Sequence, residues 1–470
     1  MRVRATVGGT LVLHDLPEKS AARLERKFSL PNPQYVRAQR YGRWSGGIPP
    51  TIDLGVRMPD GSLHLPRGTV GIVKEQIRKD GILGLDVTDR RSEGKTLLLE
   101  GHRLGALGLR PYQDEALYLF LRHLQGTVVL PCGCGKTRLG VAALGRLARS
   151  AIVLVHTADL ADQWCETLEA LLGIRPGRVE GGRFDRDADV VVAIDDSLGN
   201  VLDREPGWAE RFGLCVVDEA HHTPSRTFQT ILGKIPARWR LGLTATPDRE
   251  DGLIAVMDWA FGPRLLERTT KEMIDRGYLM RATVESVATG FRFAFDGPDD
   301  DPRRLAATEQ ALAEDPDRNR MIVQRVVEDA RAGETVLVLV GRRGHATDLA
   351  DMLVREGVEA VALSSRSGKG KRKSAIRDLK DGRLPVLVAT SLADEGLDVQ
   401  RLSRLHLAAP QKARGATFQR LGRLLRVWPG KAPRLVDYLD PCLPMFVRRA
   451  QARRRIYREA GLVMLENPQS

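Results

Sequence analysis

Aromatic residues make up only 5% of this 470-residue chain, too few for a surface that recognises its ligand through many stacked rings. Cysteine is scarce too. Cys132, Cys134, Cys165, Cys215 and Cys442 show neither the spacing of a disulfide framework nor paired CxxC metal ligands, which speaks against a disulfide-stapled secreted fold or a structural zinc site. No apolar run reaches membrane-spanning length, and no signal peptide or lipidation motif stands out, so the sequence points to a soluble, cytoplasmic protein without a membrane partner. No internal repeat of roughly 20 to 50 residues is visible beyond a two-lobe pattern.

What is abundant is positive charge. Lys and Arg number 73 against 60 Asp and Glu, a formal +13, which favours a polyanionic partner bound in a salt-sensitive way. The excess is uneven: residues 1–108 carry 18 basic and 11 acidic residues, +7 of the total.

The segment Leu130-Pro131-Cys132-Gly133-Cys134-Gly135-Lys136-Thr137 follows the apolar run Thr127 to Leu130 and precedes a helical pattern from Arg138 to Ala148. Strand, glycine-containing loop and helix in that order form a phosphate loop. Gly133 and Gly135 let backbone N–H groups close on phosphates, Lys136 reaches the β- and γ-phosphates, and the Thr137 hydroxyl ligates Mg²⁺. Leu130 stands where the pattern usually begins with glycine. Cys132 and Cys134 read as small residues fitting a crowded loop rather than as redox-sensitive thiols. Further on, the β-type run Gly213 to Val217 ends in Asp218-Glu219-Ala220-His221. A carboxylate at a strand end, Asp218, suits a water-bridged Mg²⁺, and the next, Glu219, suits polarisation of the attacking water.

Together with two further segments this sequence resembles a superfamily 2 helicase with a DEAH box. Leu243-Thr244-Ala245-Thr246-Pro247 is similar to motif III, and Gln419-Arg420-Leu421-Gly422-Arg423-Leu424-Leu425-Arg426 to motif VI. The nearest resemblance is to XPB-like DNA repair helicases and their phage and bacterial, UvsW-like, relatives. It is carried by Leu109-Arg110-Pro111-Tyr112-Gln113, by Thr223-Pro224 after His222, and by Arg249-Glu250-Asp251 after motif III. The resemblance implies that Arg423 and Arg426 reach the γ-phosphate, that Arg110 and Gln113 lie on the adenine side, and that His221, Thr244, Thr246 and Gln419 couple hydrolysis to the nucleic-acid grip. It also implies a role in duplex opening for Arg249, Glu250 and Asp251. Thr157, in a motif Ia-like stretch, and Thr390, in a motif V-like stretch, would face DNA, with Gly396 and Asp398 at the nucleotide. Asp195 and Asp196 depart from the pattern, since two acids would repel phosphate at a place where relatives offer hydroxyls.

The expected architecture is α/β: two tandem RecA-like lobes, each a parallel sheet flanked by helices, with an additional N-terminal domain. The boundaries fall at 1–105 for an accessory, DNA-binding domain, 106–268 for the ATP-binding lobe and 269–470 for the second lobe. Tyr35, Arg37, Arg40, Tyr41, Arg43 and Trp44 interleave base with aromatic ahead of Gly46-Gly47; a nucleic-acid contact and a charged helix face capped by a buried Trp weigh equally. Arg366 to Arg383 and Arg448 to Arg458 are basic stretches that read as solvated faces by default.

The expected function is an ATP- and Mg²⁺-dependent DNA helicase or translocase acting as a monomer on duplex, forked or single-stranded DNA in repair, recombination or replication. RNA stays open as a substrate. Rival readings are a strand-annealing or remodelling translocase, the motor of a restriction or defence complex with a nuclease or repair partner, and an ATP-gated clamp without motor activity.

Overall fold

The computed structural model describes residues 2–465 except 41, 43, 102–104, 106, 223–224, 246–251, 299–300, 302, 391–398 and 410–413. Two compact units divide the chain: Met1–Leu130 with Gly135–Glu267, and Pro131–Cys134 with Arg268–Ser470.

The first unit opens with seven short strands, β1 (Arg2–Val7), β2 (Thr10–His14), β3 (Ser29–Pro31), β4 (Thr51–Asp53), β5 (Val56–Arg57), β6 (Leu63–Pro66) and β7 (Gly84–Asp89). Five of them form a sheet in the order β5-β6-β2-β1-β7, antiparallel except for the β1–β7 pair, while β3 and β4 make a separate ribbon. Burial alternates along β1 and β2, so that Val3, Ala5, Leu11 and Leu13 face inward, the period-two pattern of a sheet covered on one face.

This sheet does not stand apart from the rest of its unit. Leu253, Val256 and Trp259 join Val3, Leu24, Phe28 and Ile77 in one apolar core, and Phe28 meets Trp259 edge-on with ring centroids 5.0 Å apart. Two fully buried arginines stitch the same junction. Arg67 donates to the carbonyls of Ala237 (2.5 Å) and Gly8 (3.3 Å), and Arg240 donates to those of Gly9 (3.1 Å), Leu232 (2.9 Å) and Ile235 (2.8 Å). Burial pushes the Arg240 guanidinium down to about 10 and Arg67 well below its ordinary value. Backbone oxygens, not carboxylates, hold both charges.

The remainder of the first unit is built on β8 (Gln125–Val129), β9 (Ala151–Val155), β10 (Gly177–Glu180), β11 (Arg183–Phe184), β12 (Val190–Ile194), β13 (Leu214–Val217), β14 (Trp239–Thr244) and β15 (Arg264–Glu267). Their order is β11-β10-β12-β9-β13-β14-β8-β15, parallel apart from the antiparallel edge strand β11. Strands β9 and β13 are buried along their whole length, as a sheet covered by helices on both faces demands.

The second unit carries β16 (Thr283–Ala288), β17 (Val336–Val340), β18 (Ala360–Leu363), β19 (Val386–Thr390), β20 (Arg404–Leu407), β21 (Arg434–Leu439) and β22 (Val463–Met464), all parallel in the order β18-β19-β17-β20-β21-β16-β22. Buried ion pairs anchor its helices: Arg318 to Asp440 at 2.9 Å, and Arg453 to Asp437 at 2.8 Å with Tyr457 donating to the same carboxylate. Both large sheets have the RecA-like α/β architecture expected from the apolar runs.

Candidate nucleotide site

In an open parallel sheet, ligands gather at the carboxyl ends of the strands. Four neighbouring strands, β9, β13, β14 and β8, deliver residues there. Leu130 follows β8, Thr244 ends β14, Asp218 follows β13 and His156 follows β9. The Leu130 amide donates to the Thr244 carbonyl at 3.0 Å, and that of Asp218 to Leu154 at 3.0 Å, so the loops leave the sheet in fixed register.

The phosphate loop turns on two left-handed glycines, Gly133 (φ +86°) and Gly135 (φ +72°), a conformation that a side chain disfavours. The helix Lys136–Leu147 begins directly after Gly135, so its free N–H groups and dipole face the loop. A Cβ on Gly135 would lie 2.5 Å from Gln113 Nε2. That amide donates to the Gly135 carbonyl at 3.0 Å, while Gln113 Oε1 accepts from the Arg110 amide at 2.8 Å. The Arg110–Gln113 segment and the phosphate loop are therefore one hydrogen-bonded piece. Lys136 is buried, with Nζ 3.4 Å from the Leu130 carbonyl, and Thr137 stands half-buried in the first helical turn.

Asp218 is buried and accepts two hydrogen bonds, from Trp164 Nε1 at 2.8 Å and from the Glu219 amide at 2.9 Å. Burial pushes its carboxyl up, and the neighbouring Glu219 adds to that rise, against Lys136. Glu219 goes the other way. Burial acts to raise it, but the charges of Lys136, His221 and His156 outweigh burial and hold it well below the usual range. The two acids titrate as a pair. Glu219 also sits at φ +49°, a left-handed backbone that a non-glycine residue adopts at a cost of about 1–3 kcal/mol. Its Oε2 lies 3.3 Å from His221 Nδ1, which is also 3.1 Å from Thr244 Oγ1.

A buried carboxylate pushed up by burial, close enough to feel the charge of Lys136 in the first turn of the helix, is a group that a hard divalent cation would stabilise in its ionised form. The anion-seeking loop and the cation-seeking Asp218 together fit a Mg²⁺-bound polyphosphate.

Sequence reasoning missed Trp164. Its indole reaches Asp218 only because position 140 is glycine: a Cβ there would lie 2.3 Å from the Trp164 ring. A glycine in the middle of an apolar helix was the available signal. The ring stack of His156, His222 and His221, with successive centroids 4.3 Å apart, was missed as well. Thr157 caps the helix Ala158–Leu172, its side chain accepting from Leu160 N. Asp195 and Asp196 open the helix Asp195–Arg204, where the dipole favours acids. Thr246, Arg249, Glu250, Asp251, Gly396 and Asp398 lie outside the described residues, as do Thr223 and Pro224.

In the second unit, Thr390 is buried at the end of β19. Arg423 stands on the helix Arg414–Leu424, whose Gln419 side chain is outside the described set. Arg426 follows that helix, and its carbonyl accepts from Lys431 Nζ at 2.6 Å. Burial pushes Lys431 down to about 8, with the Arg426 charge adding to it.

Residues 106–249 match the family described as type III restriction enzyme, res subunit, and residues 318–427 match the helicase conserved C-terminal domain. The chain carries two helicase-family domains. It is an ATP-dependent enzyme of the helicase class. It is 25% identical over 348 residues to the DNA 3'-5' translocase XPB2 of Sulfurisphaera tokodaii, covering 68% of this chain and 78% of that protein. It is 29% identical over 331 residues to the DNA 3'-5' helicase XPB of Kineococcus radiotolerans, covering 68% of this chain and 57% of that one. Among solved structures, S. cerevisiae Dbp5 bound to RNA and ADP BeF3 matches with a TM-score of 0.53 at 16% identity, over 77% of this chain and 95% of Dbp5. That likeness concerns the two-lobed fold. No helix among the described residues is long and apolar enough to cross a membrane.

Proposed function

We propose that this superfamily 2 helicase is a DNA-stimulated ATPase that moves along one strand of duplex or forked DNA in the 3'-to-5' direction, serving DNA repair or recombination. The observation that carries the chemistry is geometric: at the carboxyl ends of neighbouring strands the glycine loop opens the helix Lys136–Leu147, and buried Asp218 with the adjoining Glu219 ends the run of β13. The names of the XPB relatives support DNA and the polarity.

In this reading Lys136, Gly133 and Gly135 hold the phosphates, Thr137 and Asp218 hold Mg²⁺, Arg110 and Gln113 face the adenine, and Glu219 polarises water. Arg423 and Arg426 supply charge to the γ-phosphate, a task suited to the planar guanidinium fork. Gly396 and Asp398 complete the nucleotide pocket. His221, Thr244, Thr246 and Gln419 pass the state of the nucleotide to the DNA grip formed by Thr157 and Thr390, and Arg249, Glu250 and Asp251 act at the duplex. Residues 1–105 form the accessory domain, 106–268 the first lobe and 269–470 the second. The protein works as a monomer. Stimulation of ATP hydrolysis by single-stranded DNA, duplex, forked DNA and RNA, measured separately, tests the reading: forked or duplex DNA should stimulate most, and stimulation by RNA alone would replace it.

A further inference from the structure

The helix Pro33–Arg40 and the segment after it make a surface that the nucleotide chemistry leaves unused. Trp44 is 86% exposed and Val36 50% exposed, which rules out a buried Trp capping a charged helix. A Cβ on Gly46 would fall 2.2 Å from Trp44 Cζ2, so the indole approaches the Gly46 backbone on one side and is open elsewhere. Gln39 Nε2 donates to Ser45 Oγ at 3.1 Å and ties the segment back to the helix. Arg37 and Arg40 are exposed on that helix and form no ion pair among the described residues.

The helix that bears exposed Arg37 and Arg40 thus leads within a few residues to an indole open to solvent. A nucleic-acid base with its flanking phosphates satisfies all three groups at once, since bases stack on aromatic rings and phosphates pair with Arg. A basic sub-region, +7 over residues 1–108, gives that ligand the right charge. The N-terminal sheet of the same unit is itself bound to the nucleotide-binding half by the apolar core around Trp259 and by the carbonyl-capping Arg67 and Arg240.

We propose that Trp44 is a stacking post for an unpaired base of the DNA, with Arg37 and Arg40 on the adjoining phosphates. The inference rests on the proposed action on DNA. A single post agrees with a chain poor in aromatics: it holds one base at a branch or end and ignores sequence.

The test uses the full chain and a short single-stranded oligonucleotide carrying 2-aminopurine, together with a forked DNA. Trp44→Ala should weaken single-strand and fork binding on the order of tenfold, and Trp44→Phe should recover most of that loss. Arg37→Ala with Arg40→Ala should flatten the plot of log affinity against log salt by about 1.4 on single strands. The 2-aminopurine signal should be quenched by wild type and less by Trp44→Ala, with basal ATP hydrolysis unchanged throughout. Equal affinity and salt slope in all variants, in a wild type that binds DNA and is stimulated by it, overturns the stacking post alone and reassigns the patch to a protein partner. A wild type that neither binds DNA nor responds to it overturns the DNA reading and the post together.

Discussion

His221 Nδ1 lies 3.1 Å from the hydroxyl of Thr244 and 3.3 Å from the carboxylate of Glu219. One imidazole thus links the residue proposed to polarise water with the end of β14, after which the chain enters the Ala245-Thr246-Pro247 stretch. We propose that a change at either end of this link is felt at the other.

Thr244→Val keeps the shape and removes the hydroxyl. Basal ATP hydrolysis should survive, while the extra rate elicited by DNA should fall about five- to tenfold, the worth of one hydrogen bond. ATPase assays with and without forked DNA measure this. Full stimulation in the variant would mean that the link transmits nothing.

The indole of Trp164 donates to buried Asp218 at 2.8 Å. Trp164→Phe removes that donor from a charged acceptor, a loss of about 1.5–3 kcal/mol. The Asp218 carboxyl should rise further, and the Mg²⁺ concentration that half-saturates ATP hydrolysis should increase at least about tenfold. An unchanged Mg²⁺ dependence would separate Trp164 from the cation's site.

Removal of Arg240 should destabilise the first unit severely. Arg240→Met takes the guanidinium donor from the buried carbonyls of Gly9 and Ile235 and one of the donors from that of Leu232, at a cost above about 3 kcal/mol. A chain beginning near Ala106 should fare no better, because it bares Leu253, Val256 and Trp259. Urea unfolding of Arg240→Met and the solubility of the shortened chain check this; a shortened chain that stays folded with basal ATPase would show the N-terminal sheet to be dispensable.

His345, with Nε2 2.9 Å from Asn319 Oδ1, is pushed down to about 3 by burial, with the Arg318 charge adding to it. Below its unfolded pKa of about 6.5 the unfolded chain takes up a proton that the folded chain refuses, so this contribution is complete above that pH and is lost as pH falls toward 3. Between pH 6.5 and 5 it should remove about 2 kcal/mol from the stability of the second unit. His345→Gln should flatten that fall in urea titrations at the two pH values; the same slope in both proteins would contradict the assignment.

Much of this was legible in the sequence because parallel strands buried on both faces write themselves as apolar runs. The strands Gln125–Val129 and Leu214–Val217 appear where the runs Thr127 to Leu130 and Gly213 to Val217 place them, and the chemistry of such sheets sits at the strand ends, next to those runs. Long-range partners were not legible. Trp164 reaches Asp218 across 54 positions, and Arg67 reaches Ala237 across 170; no local period encodes either. The exposure of Trp44 depends on where the N-terminal sheet is anchored, which the balance of Arg and Tyr around it does not specify.

Steady-state ATP hydrolysis by Glu219→Gln beside wild type and Lys136→Ala, with and without forked DNA, together with direct ATP binding, tests the central claim most directly. The account predicts that wild type is stimulated by DNA, that Glu219→Gln binds ATP but no longer turns it over, and that Lys136→Ala loses both turnover and affinity. Near-normal turnover by Glu219→Gln would contradict it.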